Sequence, residues 1–207
     1  IISTEKLNQI IAIDPVNQIA VVEAGVINKD LDKAAAEFGL AYYPDPASRE
    51  WSTIGGNIAT NAGGMCCVKY GVTSQHVRAI NVVLADGEVV NFGFATRKAV
   101  TTLDLMRLFV GSEGTLGIIV EATVAVLPRQ KSPVTLIATF AKISDATNAA
   151  IEMLGLRPSM LELMDHTTLQ AIEAWKPMGF ADCQALLIMQ SDSDIADCEQ
   201  ARGIARK

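Results

Sequence analysis

The stretch TIGGNIATNAGG, residues 53–64, says more about the fold than any other part of the chain. It follows PDPAS at 44–48 and holds two Gly-Gly pairs with threonine and asparagine between them. Glycine allows a positive φ and lets backbone N–H groups converge, while Thr and Asn side chains add hydrogen bonds, so the stretch suits a phosphate. A pair of tight turns without a ligand accounts for the same glycines. The spacing alone leaves both interpretations open.

A second glycine run, GSEGTLG at 111–117, has the outline G-x-x-G-x-x-G. The sequence pattern predicts a short helix over 103–110 before it and a strand over 118–127 after it. A Rossmann dinucleotide loop has the opposite context, because it follows a strand and opens a helix. We therefore do not interpret this run as a Rossmann loop. The P-loop, nucleophile-elbow and H-E-x-x-H patterns are absent from the sequence.

The composition narrows the classes of protein to which the chain can belong. Its 207 residues carry 17 Lys and Arg against 23 Asp and Glu, a net charge of −6, and 50% of them are hydrophobic. Such a chain can build a core and is a poor electrostatic partner for nucleic acid. No window of about 18 residues is free of charges and turn residues, and no signal-peptide pattern opens the chain. We therefore expect a cytoplasmic protein without a transmembrane segment.

The cysteines and histidines predict neither a metal site nor a catalytic base. The four cysteines stand at positions 66, 67, 183 and 198, without a C-x-x-C pair, and the sequence has only two histidines. The spacing of a structural zinc site is therefore missing, and adjacent cysteines cannot easily pair with each other. We expect free thiols, buried or half-buried. His76 and His166 are predicted to be surface or helix-cap residues.

Hydrophobic periodicity and turn residues predict two α+β domains, residues 1–130 and 131–207, with a boundary near Arg129. The predicted elements of the first are a strand over 19–23, a helix through residue 38 that Asn28 caps, and hairpin strands over 77–84 and 88–92 joined at Asp86-Gly87. In the second, strands over 134–140, 159–164 and 183–190 alternate with helices over 144–154, 165–175 and 195–206. The chain opens at Ile1 rather than Met and closes inside a helical pattern. We therefore expect both ends to be truncated, so that this is a piece or the ordered part of a longer protein.

Several motifs in order resemble one flavoprotein family. They are PDPAS at 44–48, TIGGNIATNAGG at 53–64, KYG at 69–71, VLADG at 83–87 and LFVGSEGTLGII at 108–119. This series resembles the PCMH-type FAD-binding domain of the vanillyl-alcohol oxidase superfamily. Within it, the series is most similar to the FAD-linked 2-hydroxyacid dehydrogenases, which include the glycolate oxidase FAD subunit, D-lactate dehydrogenase and D-2-hydroxyglutarate dehydrogenase.

The resemblance implies a fold. It covers about residues 1–130, and LELMD at 161–165 resembles the start of the family's substrate (cap) domain. The implied fold class is α+β: a mixed or antiparallel sheet flanked by helices, followed by the start of an α+β cap domain.

The resemblance also implies which residues contact FAD, here called the predicted flavin set. Pro44, Asp45 and Ser48 would lie by the flavin ring and ribityl chain. Thr53, Gly55, Gly56 and Asn57 would hold the pyrophosphate and ribityl chain through backbone N–H groups and short side chains. Thr60, Gly63, Gly64, Tyr70 and Gly71 would continue that wall, and Glu113, Gly114, Gly117 and Ile118 would line the adenosine end.

The activity implied by the family is oxidation of a small D-2-hydroxy acid, of the glycolate, D-lactate or D-2-hydroxyglutarate type, to the 2-oxo acid. Hydride would pass to flavin N5, and an unidentified electron acceptor would be a partner. Family members have an earlier glycine-rich pyrophosphate loop, which would precede Ile1. They carry their active-site residues late in the chain, so no catalytic residue is assigned here. Trp51 and Ser52 precede the TIGG motif, where some distant relatives tether the flavin to Cys or His, so we expect non-covalent FAD.

Several alternatives stay open. One is another FAD oxidoreductase of the same fold, such as the flavin subunit of a molybdenum hydroxylase or a cell-wall sugar reductase. The molybdenum class also carries TIGGN but tends to continue with Ala-Asp-Pro, whereas IATNAGG at 58–64 favours the hydroxyacid class. Another is a non-catalytic fragment. A homodimer, and an association with the membrane surface through the electron acceptor, are also open.

Overall fold

The structure is a computed structural model that describes residues 2–101, 103–130, 132–180 and 182–206. The chain divides into two compact units, one formed by Ile1–Gly64 and Gly71–Arg129, the other by Met65–Tyr70 and Gln130–Lys207. Among the described residues, no helix has the length and apolar character needed to cross a bilayer.

The first unit is built on a five-stranded sheet in which every neighbouring pair is antiparallel, in the order β1-β2-β6-β4-β5. Its strands are β1 (Ile10–Asp14), β2 (Ile19–Glu23), β4 (Val77–Val83), β5 (Val89–Gly93) and β6 (Ile118–Ala125). Two short strands, β3 (Leu40–Ala41) and β7 (Leu127–Pro128), pair separately. The helices are α1 (Asn28–Ala36), α2 (Ile54–Ala59) and α4 (Met106–Phe109), and a 3-10 turn spans Thr73–Gln75.

Period-two alternation places the core of this unit on one face of the sheet. Ala20 and Val22 of β2 are fully buried, as is Val82 of β4, and Leu31 of α1 packs into the same cluster. The predicted hairpin is confirmed, because β4 and β5 pair in register from Val83 and Val89 and Gly87 takes a φ of 88° in the turn.

The helix α2 lies inside the glycine-rich stretch, for which the sequence left a phosphate-binding loop and a pair of tight turns open and predicted no helix. Thr53 is its N-cap, and the Thr53 hydroxyl accepts a hydrogen bond from the Gly56 N–H at 3.1 Å. Two glycines in a row disfavour a helix by about 1 kcal/mol each. Ile54 and Ile58, one turn apart and fully buried, supply the packing that outweighs this preference.

The remaining differences concern element ends. The helix predicted over 103–110 is only Met106–Phe109, and the strand predicted over 118–127 ends at Ala125. Leu127 and Pro128 pair instead with Leu40–Ala41. A proline suits such a two-residue edge, because it cannot donate to a central ladder.

The second unit is a three-stranded antiparallel sheet, β8-β10-β9, with helices packed on it. Its strands are β8 (Val134–Phe140), β9 (Met160–Asp165) and β10 (Ala185–Ser191), and its helices are α3 (Cys67–Tyr70), α5 (Ile143–Met153), α6 (His166–Trp175) and α7 (Ile195–Ala205). The core includes Met153, Leu187, Met189 and Ala201. The four cysteines form no disulfide, with Cys198 buried and the others half-buried, which confirms that prediction.

Asp165 caps α6 as predicted, since its carboxylate accepts a hydrogen bond from the Thr168 N–H at 2.8 Å. The Thr168 hydrogen bonds hold the pKa of Asp165 below its usual 3.8. A carboxyl whose pKa is lowered by folding stabilises the folded state above pH 3.8, and this contribution is lost as the pH falls through the lowered pKa.

We therefore expect Asp165→Ala to lower the Tm of the protein at neutral pH, because α6 loses its cap. Asp165→Asn keeps an oxygen acceptor and should lower the Tm less. Thermal unfolding followed by circular dichroism, at neutral pH and in acid, measures both effects. A capping role is contradicted if the alanine variant unfolds at the same temperature as the unaltered protein.

Candidate functional site

One buried asparagine holds the two motif segments against α1. The Asn28 side chain donates to the Pro44 carbonyl at 2.9 Å, and the Asn28 N–H donates to the Ser52 carbonyl at 2.9 Å. The Lys29 N–H donates to the Arg49 carbonyl. PDPAS and the residues just before TIGG therefore pack on the same end of the helix. The sequence interpretation of Asn28 as the N-cap is wrong, because the N-cap is Ile27 and the Asn28 side chain binds the motif loop.

The first backbone N–H groups of α2 bind the protein itself. The Ile54 N–H donates to the Val26 carbonyl and the Gly55 N–H to the Ala24 carbonyl, both at 2.8 Å. The Gly56 N–H binds the Thr53 hydroxyl, and the Asn57 N–H binds the Thr53 carbonyl. These donors are therefore engaged inside the chain. What this end of α2 offers a ligand is the exposed surface of Gly56 and the side-chain amide of Asn57.

Five buried side-chain atoms have no hydrogen-bond partner among the described residues. They are Asn28 Oδ1, Tyr42 OH, Arg49 Nε, Ser52 Oγ and Asn57 Nδ2. Leaving such an atom unbonded costs about 1–3 kcal/mol, so clustered cases call for a ligand or a water that completes them. All five lie between residues 28 and 57, on α1 and around the two motif segments. This mixture of donors and acceptors fits the ribityl hydroxyls and phosphates of FAD.

Tyr42, one of these five residues, is fully buried, and its burial raises the pKa of its hydroxyl. The Tyr42 ring meets the His76 ring edge to face, with ring centres 6.0 Å apart. His76 is buried rather than on the surface, but it is the C-cap of the 3-10 turn Thr73–Gln75, so the cap alternative of the prediction is confirmed. His166 is half-buried and is the first residue of α6, whose cap is Asp165, and its Nδ1 lies 2.9 Å from the Cys183 carbonyl oxygen.

The second Gly-Gly pair comes close to the PDPAS loop. A Cβ built on Gly64 would lie 2.2 Å from the Asp45 carbonyl oxygen, so the two loops can pack this way only with glycine at 64. Gly63 is exposed beside it, and the Thr60 hydroxyl donates to the Gly56 carbonyl. The structure thus brings Asp45 and Gly64 of the predicted flavin set together.

The run 111–117 packs on the other end of α2. The Gly111 N–H donates to the Ile58 carbonyl and the Glu113 N–H to the Ala59 carbonyl, both at 2.9 Å. Glu113 and Gly114 have positive φ and are exposed. As expected, this run follows a helix and opens a strand. The structure thereby packs the second glycine motif on the C-terminal end of the short helix that the first motif forms.

Gly117 and Ile118 help to pack the start of β6 against β4, apart from their predicted place at the adenosine end of FAD. A Cβ on Gly117 would meet Val82 Cγ1 at 2.5 Å and the Val83 carbonyl oxygen at 2.9 Å. Ile118 pairs with Val83 across the β4–β6 ladder. The close approach of two strands is sufficient reason for glycine at 117.

Tyr70 belongs to the second unit, unlike the other residues of the predicted flavin set. The Tyr70 hydroxyl and the Lys69 ammonium both bind the buried carboxylate of Asp192, and Lys69 also reaches the Ser193 hydroxyl at 3.1 Å. Burial by itself would raise the pKa of Asp192, but the hydrogen bonds from Lys69 and Tyr70 outweigh that effect. The pKa of Asp192 is therefore below its usual 3.8. This network ties α3 to the turn that follows β10. Gly71, the next residue, has a φ of 76°.

Within the described part of the chain, no group of three or more His, Cys, Asp or Glu residues is arranged to hold a metal ion.

The fold, with two glycine motifs around a short helix on an antiparallel sheet, is that of a PCMH-type flavoprotein. The family described as "FAD binding domain" matches residues 1–93, and that described as "FAD linked oxidases, C-terminal domain" matches residues 129–207. The chain therefore carries matches to both domains of FAD-linked oxidases, which supports FAD as its cofactor. The expected fold class and cofactor are confirmed.

Relatives with assigned names point the same way. The chain is 40% identical over 97% of its length to glycolate oxidase subunit GlcD of Bacillus subtilis, and covers 44% of that protein. It is 44% identical over 79% of its length to D-lactate dehydrogenase of Anaerostipes hadrus, covering 35% of it. It is 40% identical over 65% of its length to D-2-hydroxyglutarate dehydrogenase of Stutzerimonas stutzeri, covering 29% of it. The chain thus spans less than half the length of each.

A solved structure supports the fold. Alkyldihydroxyacetonephosphate synthase superposes with a TM-score of 0.80 at 23% identity, over 98% of this chain and 40% of that one.

The Asp192 network yields a stability prediction. Asp192→Asn should lower the free energy of unfolding by about 1–3 kcal/mol, because Lys69 loses its charged partner in a mostly buried place. Asp182→Asn, at an exposed carboxylate, is the control and should change it by less than about 0.5 kcal/mol. Denaturant unfolding measures both.

The pH dependence provides a second check. Folding lowers the pKa of Asp192, so the network stabilises the protein above pH 3.8 and fails as the pH falls through the lowered pKa. The Asn variant should lose less stability in acid than the unaltered protein. Equal loss in both would contradict the role assigned to Asp192.

Proposed function

We propose that this chain is part of an FAD-dependent dehydrogenase that oxidises a small D-2-hydroxy acid, of the glycolate, D-lactate or D-2-hydroxyglutarate type, to the 2-oxo acid. One observation carries the proposal: the chain, which matches the FAD binding domain and then the C-terminal domain of FAD linked oxidases, is 40–44% identical to relatives named for these substrates. Residues 1–130 would bind the cofactor, and residues 131–207 would form part of the substrate domain. A separate electron acceptor would complete the reaction.

When bound, FAD supplies the redox chemistry by accepting hydride at N5, and the protein supplies position and electrostatics. The unpartnered atoms around α2 support a cofactor role for the Pro44–Gly64 region. The Asn57 amide would donate to the ribityl chain or a phosphate, and Gly56 and Gly64 would let the cofactor approach the backbone. Glu113 and Gly114, exposed at the other end of α2, would contact the adenosine part. Trp51 and Ser52 provide no thiol or imidazole for a flavin bond, which supports non-covalent FAD.

The activity is tested by mixing the purified FAD-loaded protein, without oxygen, with D-lactate, glycolate or D-2-hydroxyglutarate. We expect the visible absorption of oxidised flavin to bleach with at least one of them. L-lactate is the matched control, because its reacting hydrogen and carboxylate are arranged with the opposite hand. No bleaching by any of the three hydroxy acids would overturn the proposal. Bleaching by a reduced nicotinamide instead would support the sugar reductase class.

The cofactor site is tested at Asn57. Asn57→Ala removes a buried donor that has no partner among the described residues, so the affinity for FAD should fall about tenfold, as expected for one lost hydrogen bond to a charged or hydroxyl group. Asn148→Ala, on the exposed side of α5, is the control. Fluorescence titration of the FAD-free proteins measures both affinities, and their Tm values report on folding. An unchanged FAD affinity in a folded Asn57→Ala protein would count against this site.

A further inference from the structure

A cavity of about 530 Å³ lies in the first unit, beside the edge strand β5 and helix α4. Its walls come from the start of β4, from β5 with the residues that follow it up to Ala99, and from the segment Leu103–Arg107. Its lining shares no residue with the predicted flavin set. We call it the arginine cavity, after the three guanidinium groups of Arg78, Arg97 and Arg107 that line it.

The charges of this cavity are unbalanced. Besides the three arginines it has one carboxylate, Asp104, which Arg107 Nε binds at 3.1 Å. Arg107 is also anchored by donating to the Ser74 carbonyl at 2.7 Å. Arg78 and Arg97 form no ion pair within the described ranges. The cavity therefore gathers positive charge on a chain whose net charge is −6.

Gathering these charges costs stability when the cavity is empty. Arg78 is half-buried, and its pKa is lowered first by that burial and then by the charges of Arg97 and Arg107. Like charges around a partly buried group repel each other, and a concave surface concentrates the resulting potential. An anion in the cavity removes the repulsion. Side chains that lower the stability of the protein in this way are typical of binding sites.

Part of the lining of the arginine cavity is apolar. Phe92 and Met106 line it, and Phe92 stacks on Phe109 with ring centres 4.6 Å apart. The chain turns into the wall at Gly93, whose φ is 91° and whose added Cβ would lie 2.3 Å from the Arg78 carbonyl oxygen. Only glycine permits this turn over Arg78. The backbone thus holds a charged wall and an apolar wall next to each other.

We propose that the arginine cavity binds a small organic molecule carrying a phosphate monoester, with the phosphate on Arg78 and Arg97 and the organic body against Phe92 and Met106. The planar guanidinium fork matches two phosphate oxygens at once. A monoester carries about two negative charges at neutral pH, which equals the charge of the two arginines without a carboxylate. The volume exceeds what inorganic phosphate needs and lies in the range of about 300–1,000 Å³ typical of small-molecule sites. This inference goes beyond the proposed oxidation and does not depend on it.

The test uses the FAD-loaded protein and phenyl phosphate as the probe, at a pH above the second phosphate pKa of about 6. Calorimetry should show binding of phenyl phosphate, weaker binding of inorganic phosphate, and no binding of phenol. The affinity should fall as salt is added, because the charges of the cavity are partly exposed. Free FAD fluorescence is followed in the same titration.

The variants Arg78→Met and Arg97→Met should each weaken phenyl phosphate binding about tenfold or more, since each loses a charged hydrogen-bond donor. Lys98→Met is the matched control, because Lys98 is exposed, next to Arg97, and does not line the cavity. Arg97 is exposed, so its variant keeps the proposal testable even if Arg78→Met fails to fold.

Three results would overturn the proposal. The first is that the FAD-loaded protein does not bind phenyl phosphate. The second is that Arg97→Met binds it as tightly as the unaltered protein, or that Lys98→Met loses binding to the same extent as Arg97→Met. The third is that binding releases FAD in proportion, which would place the phosphate at the cofactor site. Each of these outcomes is read independently of whether a hydroxy acid reduces the flavin.

Discussion

The packing of helix α2 on the end of strand β2 is the contact on which the cofactor region depends. The Gly55 N–H binds the Ala24 carbonyl, and a Cβ at position 55 would come within 2.6 Å of the Ala24 side chain. The helix can therefore approach this closely only because position 55 is glycine. Its far end receives the N–H groups of Gly111 and Glu113. One short helix thus sets the positions of both glycine motifs.

This contact gives the glycines a role in packing rather than in direct binding of a phosphate. Convergent backbone N–H groups at a phosphate are one use of a glycine-rich stretch, but here the N–H groups of residues 54–57 bind the protein. Gly55, Gly64 and Gly117 are each required by a neighbouring backbone or side chain that leaves no room for a Cβ. The polar atoms left for a cofactor are mostly on side chains, with Asn57 the clearest case. The motif is therefore first a packing solution, and its binding surface follows from that packing.

The first unit holds two places where polar groups lack their complement. Around α1 and α2, buried atoms lack hydrogen-bond partners within the described residues, and in the arginine cavity two guanidinium groups lack a carboxylate. Both conditions oppose stability, and a ligand relieves each of them in a different way, one by hydrogen bonding and the other by charge. In the second unit, by contrast, the buried carboxylate of Asp192 is paired, because it binds the Lys69 ammonium and the Tyr70 hydroxyl.

The sequence by itself determined the features that depend on local rules. The hairpin at Asp86-Gly87, the cap at Asp165 and the strands of both sheets except β1 follow from residue types at short spacing, and the ordered motifs carry the family resemblance. Only the tertiary structure decided that the stretch around Gly55 is helical, that His76 is buried, that Asn28 holds the PDPAS loop, and that Arg78, Arg97 and Arg107 share a cavity. These features join residues far apart in sequence, and their energies come from packing and burial, which spacing along a single chain does not encode.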